Sequence, residues 1–238
     1  MSVMVGNFRP STSGFHFPNA FPEGTAAIPG IPAAIRIPGD GSIAINDASN
    51  GLCGGMAFAV RDYLEAGVPT PPDTTPPGQD TPLFRHLVTR LLDSWNVPSG
   101  VMQYLHLMSP ILPDHESWFD RWAHGRAWIM VKQEWPKIKA DLDGGHLSTL
   151  GVIKVKSWNP ADLAHNHQVV AYGYDLEGNR LTLFVYDPNN PDMDDVTMSL
   201  SLADPSKTTP VQYSPPDTDF PTAYCFFRVD YSRKPPPS

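Results

Sequence analysis

Long apolar runs, basic clusters and cysteines are all scarce in this sequence of 238 residues. No apolar segment approaches the roughly 18–20 residues of a membrane-spanning helix, so no membrane partner is expected. Two cysteines are too few for a disulfide-rich scaffold or for a zinc site with four thiolate ligands. The 25 acidic residues outnumber the 17 basic ones, and no block of lysine or arginine is available to face a phosphate backbone. A nucleic-acid partner is therefore not expected either.

The N-terminus also lacks the features of a secretory leader. The segment MSVMVGNFRP has no basic region followed by an apolar one, so a cytoplasmic location is expected. Charged residues make up 18% and apolar residues 41% of the chain, which is typical of a globular protein rather than a disordered one. The composition gives no indication of the oligomeric state.

Proline, in contrast, is abundant, with 27 residues in the chain. Its usual share is about 5%, and this chain has about twice that. Residues 1–45 hold six of the prolines and predict an extended, proline-rich arm that lies over the surface, with a short strand at Ala34–Ile37. Residues 68–81 (VPTPPDTTPPGQDT) predict a stiff surface loop, and a ligand segment for an SH3-type domain is the alternative.

Helical periodicity is concentrated between residues 46 and 145, which are expected to form a mostly helical lobe. In the first helix, apolar residues recur at helical spacing after Asn50, the expected N-cap, and Gly67 ends the pattern. A second helix is expected after Thr81, which is placed to cap it, with Pro82 at the first helical position. Three further segments predict helices: 100–108, 116–133 and 134–142.

After residue 146 the pattern changes to that of β-strands. Four segments are rich in β-branched and aromatic residues: 147–155, 167–175, 180–187 and 222–231. Gly178 and Asn179 supply turn chemistry between the second and third of these segments, which predicts a hairpin. Helices first and strands afterwards indicate an α+β fold with two lobes, of which the β lobe spans residues 146–238.

Three reactive side chains stand at the ends of these predicted elements. Cys53 lies in the first turn of the first helix, His167 begins a strand, and Asp187 closes the next strand. The helix macrodipole favours a thiolate at this point, and the free N–H groups of the first turn can bind an oxyanion. The start of one hairpin strand lies beside the end of the other, so the carboxylate is expected to orient the imidazole. Such a set is typical of acyl transfer at a carbonyl carbon.

Residues around these three are expected to have supporting roles. Gly54 and Gly55 remove side chains where a substrate or a facing strand must come close. His165 is expected in the loop that leads into the strand, so that His167 and not His165 is the base. Asn189 is expected to have a smaller role than Asp187 in orienting the His167 imidazole.

The same segments resemble a known family. NGLCGGMAFAV, HQVVAYGYD and YDPNNP are similar to the motifs of papain-like cysteine peptidases, in particular the C39-like branch. The similarity covers residues 46–67 and 137–190, about a third of the chain. It implies a papain-like α+β fold in which Cys53, His167 and Asp187 lie in the cleft between the lobes. It further implies thiol-dependent cleavage or transfer of an amide, isopeptide or ester, a peptide or small acyl substrate, and no metal or organic cofactor.

One position departs from the family pattern. Papain-like enzymes carry a glutamine six residues before the cysteine, and its amide completes the oxyanion hole; this chain has Asp47 there. An ionised carboxylate donates no hydrogen bond and would repel an oxyanion. We therefore expect the backbone N–H of Cys53 and the side-chain amide of Asn50 or Asn46 to form the hole.

Other interpretations of these residues stay open. In one, Cys53 is a structural thiol or is paired with Cys225; in another, His165, His167 and Asp187 bind a metal ion. Transglutaminase-like and arylamine acetyltransferase-like enzymes share the triad, but their cysteine and histidine are usually much closer than the 114 residues found here. The remaining alternative is a papain-like binding module without catalytic activity.

Overall fold

A computed structural model describes residues 1–21, 34–37, 41–44, 51–116, 124–215 and 222–237. Its helices are α1 (Pro10–Ser13), α2 (Cys53–Ala66), α3 (Pro82–Ser94), α4 (Ser99–Met108), α5 (Arg126–Trp128) and α6 (Trp135–Asp143), with a π-helical segment at Ile129–Glu134 and a 3-10 helix at Pro160–His165. Its strands are β1 (Ser2–Met4), β2 (Ala34–Ile37), β3 (Gly41–Ala44), β4 (Ser148–Ile153), β5 (His167–Glu177), β6 (Arg180–Tyr186), β7 (Thr197–Ser201), β8 (Val211–Ser214), β9 (Thr222–Ala223) and β10 (Cys225–Arg228). Helices and an antiparallel sheet thus occur together, as the expected α+β class requires. None of the helices in the described part of the chain is both long and apolar enough to span a membrane.

Eight strands form one antiparallel sheet in the order β10-β4-β5-β6-β7-β8-β9, with β1 also paired to β5. Strand β4 pairs with the first half of β5, where Val152 faces His167, and β1 continues along the same edge, where Met4 faces Gly173. Strands β9 and β10 are separated in sequence by Tyr224 alone, yet they lie at opposite ends of the strand order. Because one residue spans only about 3.8 Å, the sheet must curl until its two edges approach each other. The short strand expected at Ala34–Ile37 is present as β2, paired with β3 in a separate two-stranded sheet.

Helix α2 begins at the reactive cysteine itself. Its first residue is Cys53, Leu52 occupies the N-cap position, and Gly67 ends the helix in the left-handed conformation with a φ of 68°. The expected N-cap at Asn50 is therefore wrong, because the helix starts two residues later than the apolar pattern suggested; Asn50 itself lies outside the described residues. Every residue from 54 to 63 is buried, so this helix forms the centre of the core.

The two glycines after Cys53 bring α2 against α3. A β-carbon on Gly55 would lie 2.1 Å from the Leu87 carbonyl oxygen, and one on Gly54 would lie 2.3 Å from Ser94 Oγ. No side chain fits at these distances, so glycine is required by helix packing. The sequence predicted the close approach of a substrate or a facing strand; the neighbours are helix α3 and, at 3.0 Å from a β-carbon on Gly54, the Gln168 side chain of strand β5.

Helix α3 begins as its sequence predicts. Thr81 Oγ1 accepts a hydrogen bond of 3.2 Å from the backbone N–H of Phe84, and Pro82 is the first helical residue. Capping of this kind is worth about 1 kcal/mol, because it satisfies a donor that the first helical turn leaves free. Local sequence is enough to specify this start, since donor and acceptor are three residues apart.

The N-terminal segment differs from the surface arm that its prolines suggested. Strand β1 adds to the main sheet, and four aromatic side chains that follow it are buried: Phe8, Phe15, Phe17 and Phe21. Phe8 packs on Tyr172 with ring centroids 5.6 Å apart, which joins this segment to β5. Residues 1–21 are therefore part of the core, because the apolar area of four phenylalanines outweighs the tendency of prolines toward exposed loops.

Strands β7 and β8 and the π-helical segment are not anticipated from the sequence. Both strands alternate buried with more exposed residues, which is the two-residue period of a half-buried strand, but they are only five and four residues long, so the pattern is brief. The π-helical segment directly precedes Trp135 and Pro136. Proline lacks an N–H group and its ring would clash with the carbonyl four residues earlier, which favours a wider turn here.

A buried ionic cluster ties the C-terminal segment to α2 and α3. Asp62 is fully buried and lies 2.7 Å from the Nε of Arg90, whose guanidinium is also fully buried. The same carboxylate accepts hydrogen bonds from the Tyr231 hydroxyl at 2.8 Å and from the Lys234 backbone N–H at 2.9 Å. Asp62 therefore neutralises a buried cation and anchors the end of the chain at the same time.

Replacing this carboxylate is expected to destabilise the protein strongly. Asp62→Asn removes the fully buried counter-ion of Arg90 and leaves the partly exposed Asp93, 2.7 Å from its Nη1, as the remaining one. Loss of a buried partner typically costs about 3–5 kcal/mol. The measurement is the free energy of unfolding from urea titration. Glu65→Gln is the matched control, because Glu65 lies one turn further along α2, is exposed, and is 3.7 Å from Arg61; this variant should lose less than about 1 kcal/mol of unfolding free energy. Equal losses for both variants would contradict the role given to Asp62.

Candidate active site

Cys53 combines a helix terminus with a partly accessible thiol. It is half-buried and free, in contrast to Cys225, which is also free but buried in β10. The first regular bond of α2 runs from the Met56 N–H to the Leu52 carbonyl at 2.8 Å. The three N–H groups before Met56 therefore have no acceptor within the helix, and together they place partial positive charge around the sulfur.

His167 stands on the first residue of β5 and lies between Cys53 and Asp187. Its imidazole is buried, and the Nε2–H donates a hydrogen bond of 2.6 Å to Asp187 Oδ1. The thiol of Cys53 is its second hydrogen-bond partner. Since Nε2 is engaged by the carboxylate, Nδ1 is the ring nitrogen that remains for the sulfur. The β5–β6 hairpin joins His167 to Asp187, and the packing of α2 on β5 adds Cys53, so the structure brings together all three residues that the sequence singled out.

Asp187 follows β6 and is held in place by the turn that it begins. Its Oδ1 also accepts a hydrogen bond of 2.9 Å from the backbone N–H of Asn189, and its Oδ2 accepts one of 3.3 Å from the Asn190 side chain. The carboxylate is buried, so these donors replace the water that it has lost. Asn189 contributes its backbone here, and the side chain on the imidazole is that of Asp187.

The charges of the three groups stabilise one another. Burial opposes the charged form of each, yet the Asp187 carboxylate raises the pKa of His167 from 6.5 to about 10. Burial likewise works against the thiolate, but the hydrogen bond and charge of His167 lower the pKa of Cys53. Burial also disfavours the Asp187 carboxylate, and the His167 charge outweighs it, so the pKa of that carboxyl is lowered. The arrangement therefore favours a thiolate, an imidazolium and a carboxylate in sequence.

Gln168 is a site residue that the sequence did not reveal. Its backbone N–H, with that of Gly54, hydrogen bonds to the Cys53 sulfur and helps to lower the pKa of the thiol. Its side chain is buried behind the cysteine and donates a hydrogen bond of 3.2 Å to Ser94 Oγ. No motif marks this role, because it depends on a backbone group and on the packing of β5 against α2.

Asn19 is a second residue that sequence reasoning missed. Its Oδ1 accepts a hydrogen bond of 2.6 Å from the backbone N–H of Leu52, and its Nδ2 donates one of 3.1 Å to Asn189 Oδ1. Its own backbone N–H donates to the Pro188 carbonyl at 2.9 Å. The partners are 33 and about 170 positions away in sequence, so no local pattern indicates them.

His165 lies apart from the three central side chains. It ends the 3-10 helix, its side chain is 60% exposed, and its Nδ1 lies 3.8 Å from the carboxylate of Asp162. Within the described ranges, no three His, Cys, Asp or Glu side chains are grouped so that they could hold a metal ion. His167 is therefore the histidine that faces the cysteine.

The side chains expected to complete the oxyanion hole lie outside the part of the chain that the structure describes. Asn46, Asp47 and Asn50 all lie outside the described residues. The sequence prediction for the side-chain donor thus stays a prediction. The first turn of α2 does lie within the described residues, and its Gly54 N–H hydrogen bonds to the Cys53 sulfur.

Comparison with known proteins adds no relative. A scan against protein-family models, a search of curated proteins and a search of solved structures each found no match to this chain. The function of this chain is therefore inferred from the geometry of the site.

Proposed function

We propose that this protein is a papain-like thiol hydrolase or acyl transferase. Its substrate is a peptide or a small acyl compound, and the bond that it cleaves is an amide, an isopeptide or an ester. The observation that carries the proposal is the continuous hydrogen-bonded series from Cys53 through His167 to Asp187, with the sulfur at the N-terminus of α2. Nucleophile, base and orienting carboxylate are the three parts that thiol-based acyl transfer needs.

The arrangement of elements supports the papain-like assignment. The nucleophile begins a buried helix that packs on β5, and β5 carries the histidine at its first residue. The carboxylate follows the hairpin partner β6. Helices α2 to α6 precede most of the main sheet in the chain, as they do in the family that the motifs resemble.

The chemistry follows from these contacts. The Cys53 thiolate attacks the carbonyl carbon of the substrate, and the carbonyl electrons move to oxygen to give a tetrahedral oxyanion. The free N–H groups at the start of α2 stabilise that charge. His167 then gives its Nδ1 proton to the leaving amine or alcohol as the carbon–heteroatom bond breaks and a thioester remains.

The second half of the reaction reverses the proton transfer. Neutral His167 removes a proton from water, or from an acceptor amine or alcohol, which attacks the thioester. The tetrahedral intermediate expels the Cys53 thiolate, so the imidazolium and thiolate are restored. Asp187 stays ionised throughout and keeps the imidazole oriented, because its two oxygens remain hydrogen-bonded to the turn.

Alkylation with iodoacetamide across a pH series tests the proposal directly. We expect Cys53 to react at least about tenfold faster than a free thiol near about pH 6, where an ordinary cysteine is almost wholly protonated. Peptide mass spectrometry identifies the alkylated residue. Cys225 is the internal control, since burial raises the pKa of its thiol to about 12 and it should stay unlabelled in the folded protein.

Acylation by p-nitrophenyl acetate separates catalysis from simple thiol reactivity. We expect an acetyl thioester on Cys53 followed by repeated release of nitrophenol. When an amine is added, the ratio of acetate to acetylated amine shows whether the thioester is hydrolysed or transferred. Labelling of Cys53 no faster than a free thiol, with no turnover of the ester, would support the catalytically silent binding module instead.

A further inference from the structure

The side chain of Asn19 lies between the two segments that carry Cys53 and Asp187. Its Oδ1 accepts a hydrogen bond of 2.6 Å from the backbone N–H of Leu52, which directly precedes the cysteine. Its backbone N–H donates to the Pro188 carbonyl at 2.9 Å, and its Nδ2 donates to Asn189 Oδ1 at 3.1 Å; these two residues directly follow the aspartate. One residue of the N-terminal segment therefore contacts both segments through three hydrogen bonds.

The surrounding backbone leaves space for this side chain. Gly51 adopts a φ of +86°, and a β-carbon there would lie 2.5 Å from Asn19 Nδ2. Leu52 is buried, and its N–H lies ahead of the first helical bond, so it needs an acceptor from elsewhere in the chain. Asn19 supplies that acceptor.

We propose that Asn19 is a positioning residue that fixes the separation of Cys53 and Asp187. This inference rests on the proposed function. The cysteine belongs to α2 and the aspartate to the end of β6, and the imidazole between them must reach both. A misplacement of about 1 Å in such a site can cost on the order of 100-fold in rate. Asn19 limits that misplacement by holding both segments to the same amide.

The test is the pH dependence of Cys53 alkylation in the full chain. Asn19→Leu keeps the size of the side chain and removes both side-chain hydrogen bonds. We expect its alkylation near about pH 6 to be about tenfold slower than that of the wild type, which equals a rise of about one unit in the pH midpoint of the reaction. Asn19→Gln keeps the amide on a side chain one methylene longer and adds no charge beside the thiolate. Its midpoint should therefore lie closer to the wild type than to Asn19→Leu.

Ser11→Ala controls for loosening of the N-terminal segment alone. Ser11 Oγ donates to Asp194 Oδ2 at 2.7 Å and contacts none of the three reactive residues. We expect its midpoint to match the wild type. Equal shifts in Ser11→Ala and Asn19→Leu, or no shift in Asn19→Leu, would overturn the positioning role.

The same measurements distinguish this inference from the proposed function. A wild-type midpoint equal to that of a free thiol would overturn the proposed function, and the positioning role with it. A lowered wild-type midpoint that Asn19→Leu leaves unchanged would overturn the positioning role alone. Circular dichroism of each variant checks that the fold is retained.

Discussion

If the proposed function is correct, replacement of Cys53 by alanine is expected to reduce ester and amide turnover by a factor on the order of 10⁶, as removal of the nucleophile does in a serine protease triad. The reason is that no other group at this position can form the thioester. The fold should be retained, since the change removes one sulfur from a half-buried position at a helix terminus. The measurements are p-nitrophenyl acetate turnover and the circular dichroism spectrum.

Cys225→Ala is the matched control for this prediction. Its thiol is buried in β10, so the variant should lose stability through the cavity left behind and keep its turnover. Cys53→Ala is thus expected to lose turnover and keep its stability, whereas Cys225→Ala should lose stability and keep its turnover. Unchanged turnover in Cys53→Ala, or loss of turnover only in Cys225→Ala, would reject the thiol mechanism at Cys53.

The local features of this fold follow from short-range sequence patterns. The start of α3 depends on Thr81 and Pro82, and the β5–β6 turn depends on Gly178, whose φ is +59°. The hairpin in turn brings His167 within 2.6 Å of Asp187. Each of these features is set by residues close together in sequence or by a single tight turn, so helix-capping preferences and turn chemistry are sufficient to predict it.

The parts that could not be predicted depend on contacts between distant residues. The pairing of β1 with β5 and the burial of Phe15 and Phe17 join the first residues to the middle of the chain. Asn19 and the backbone of Gln168 enter the site in the same way. Such contacts are set by how the elements pack, and the periodicity of a single segment contains no information about its partner.

Asp187→Asn is expected to produce the second large effect, a loss in rate on the order of 10⁴ at neutral pH. The amide has the shape of the carboxylate but no charge. Burial still opposes the imidazolium, so the pKa of His167 should fall from about 10 to below its ordinary 6.5. Cys53 then loses its positive neighbour, and the pKa of its thiol should rise because burial is no longer offset.

The pH profile separates this electrostatic effect from a simple loss of structure. In the wild type the active ion pair forms as pH rises through the lowered pKa of Cys53, and it is lost as pH rises through the value of about 10 for His167. In Asp187→Asn the residual rate should increase toward alkaline pH, because the thiolate then forms only above a raised pKa. Asn190→Ala removes one hydrogen bond to Asp187 and keeps the charge, so it should retain the wild-type profile. A larger loss in Asn189→Ala than in Asp187→Asn would reverse the assignment.

Asp187→Asn should also change how the free energy of unfolding depends on pH. Because the folded pKa of His167 is raised, its stabilising contribution is fully present below 6.5 and is lost as pH rises through about 10. The lowered pKa of Asp187 gives a contribution that is present above 3.8 and is lost as pH falls through the folded value. The lowered pKa of Cys53 adds a contribution with the opposite pH dependence, present above 9.0 and lost as pH falls through the folded value, so the measurement is made in the Cys53→Ala background. Urea unfolding there should show the His167 and Asp187 contributions at about pH 5 and the loss of the His167 contribution near about pH 10. The difference between the two conditions should shrink in Asp187→Asn, while the stability at neutral pH changes little, since a buried neutral pair avoids the desolvation cost of the ions.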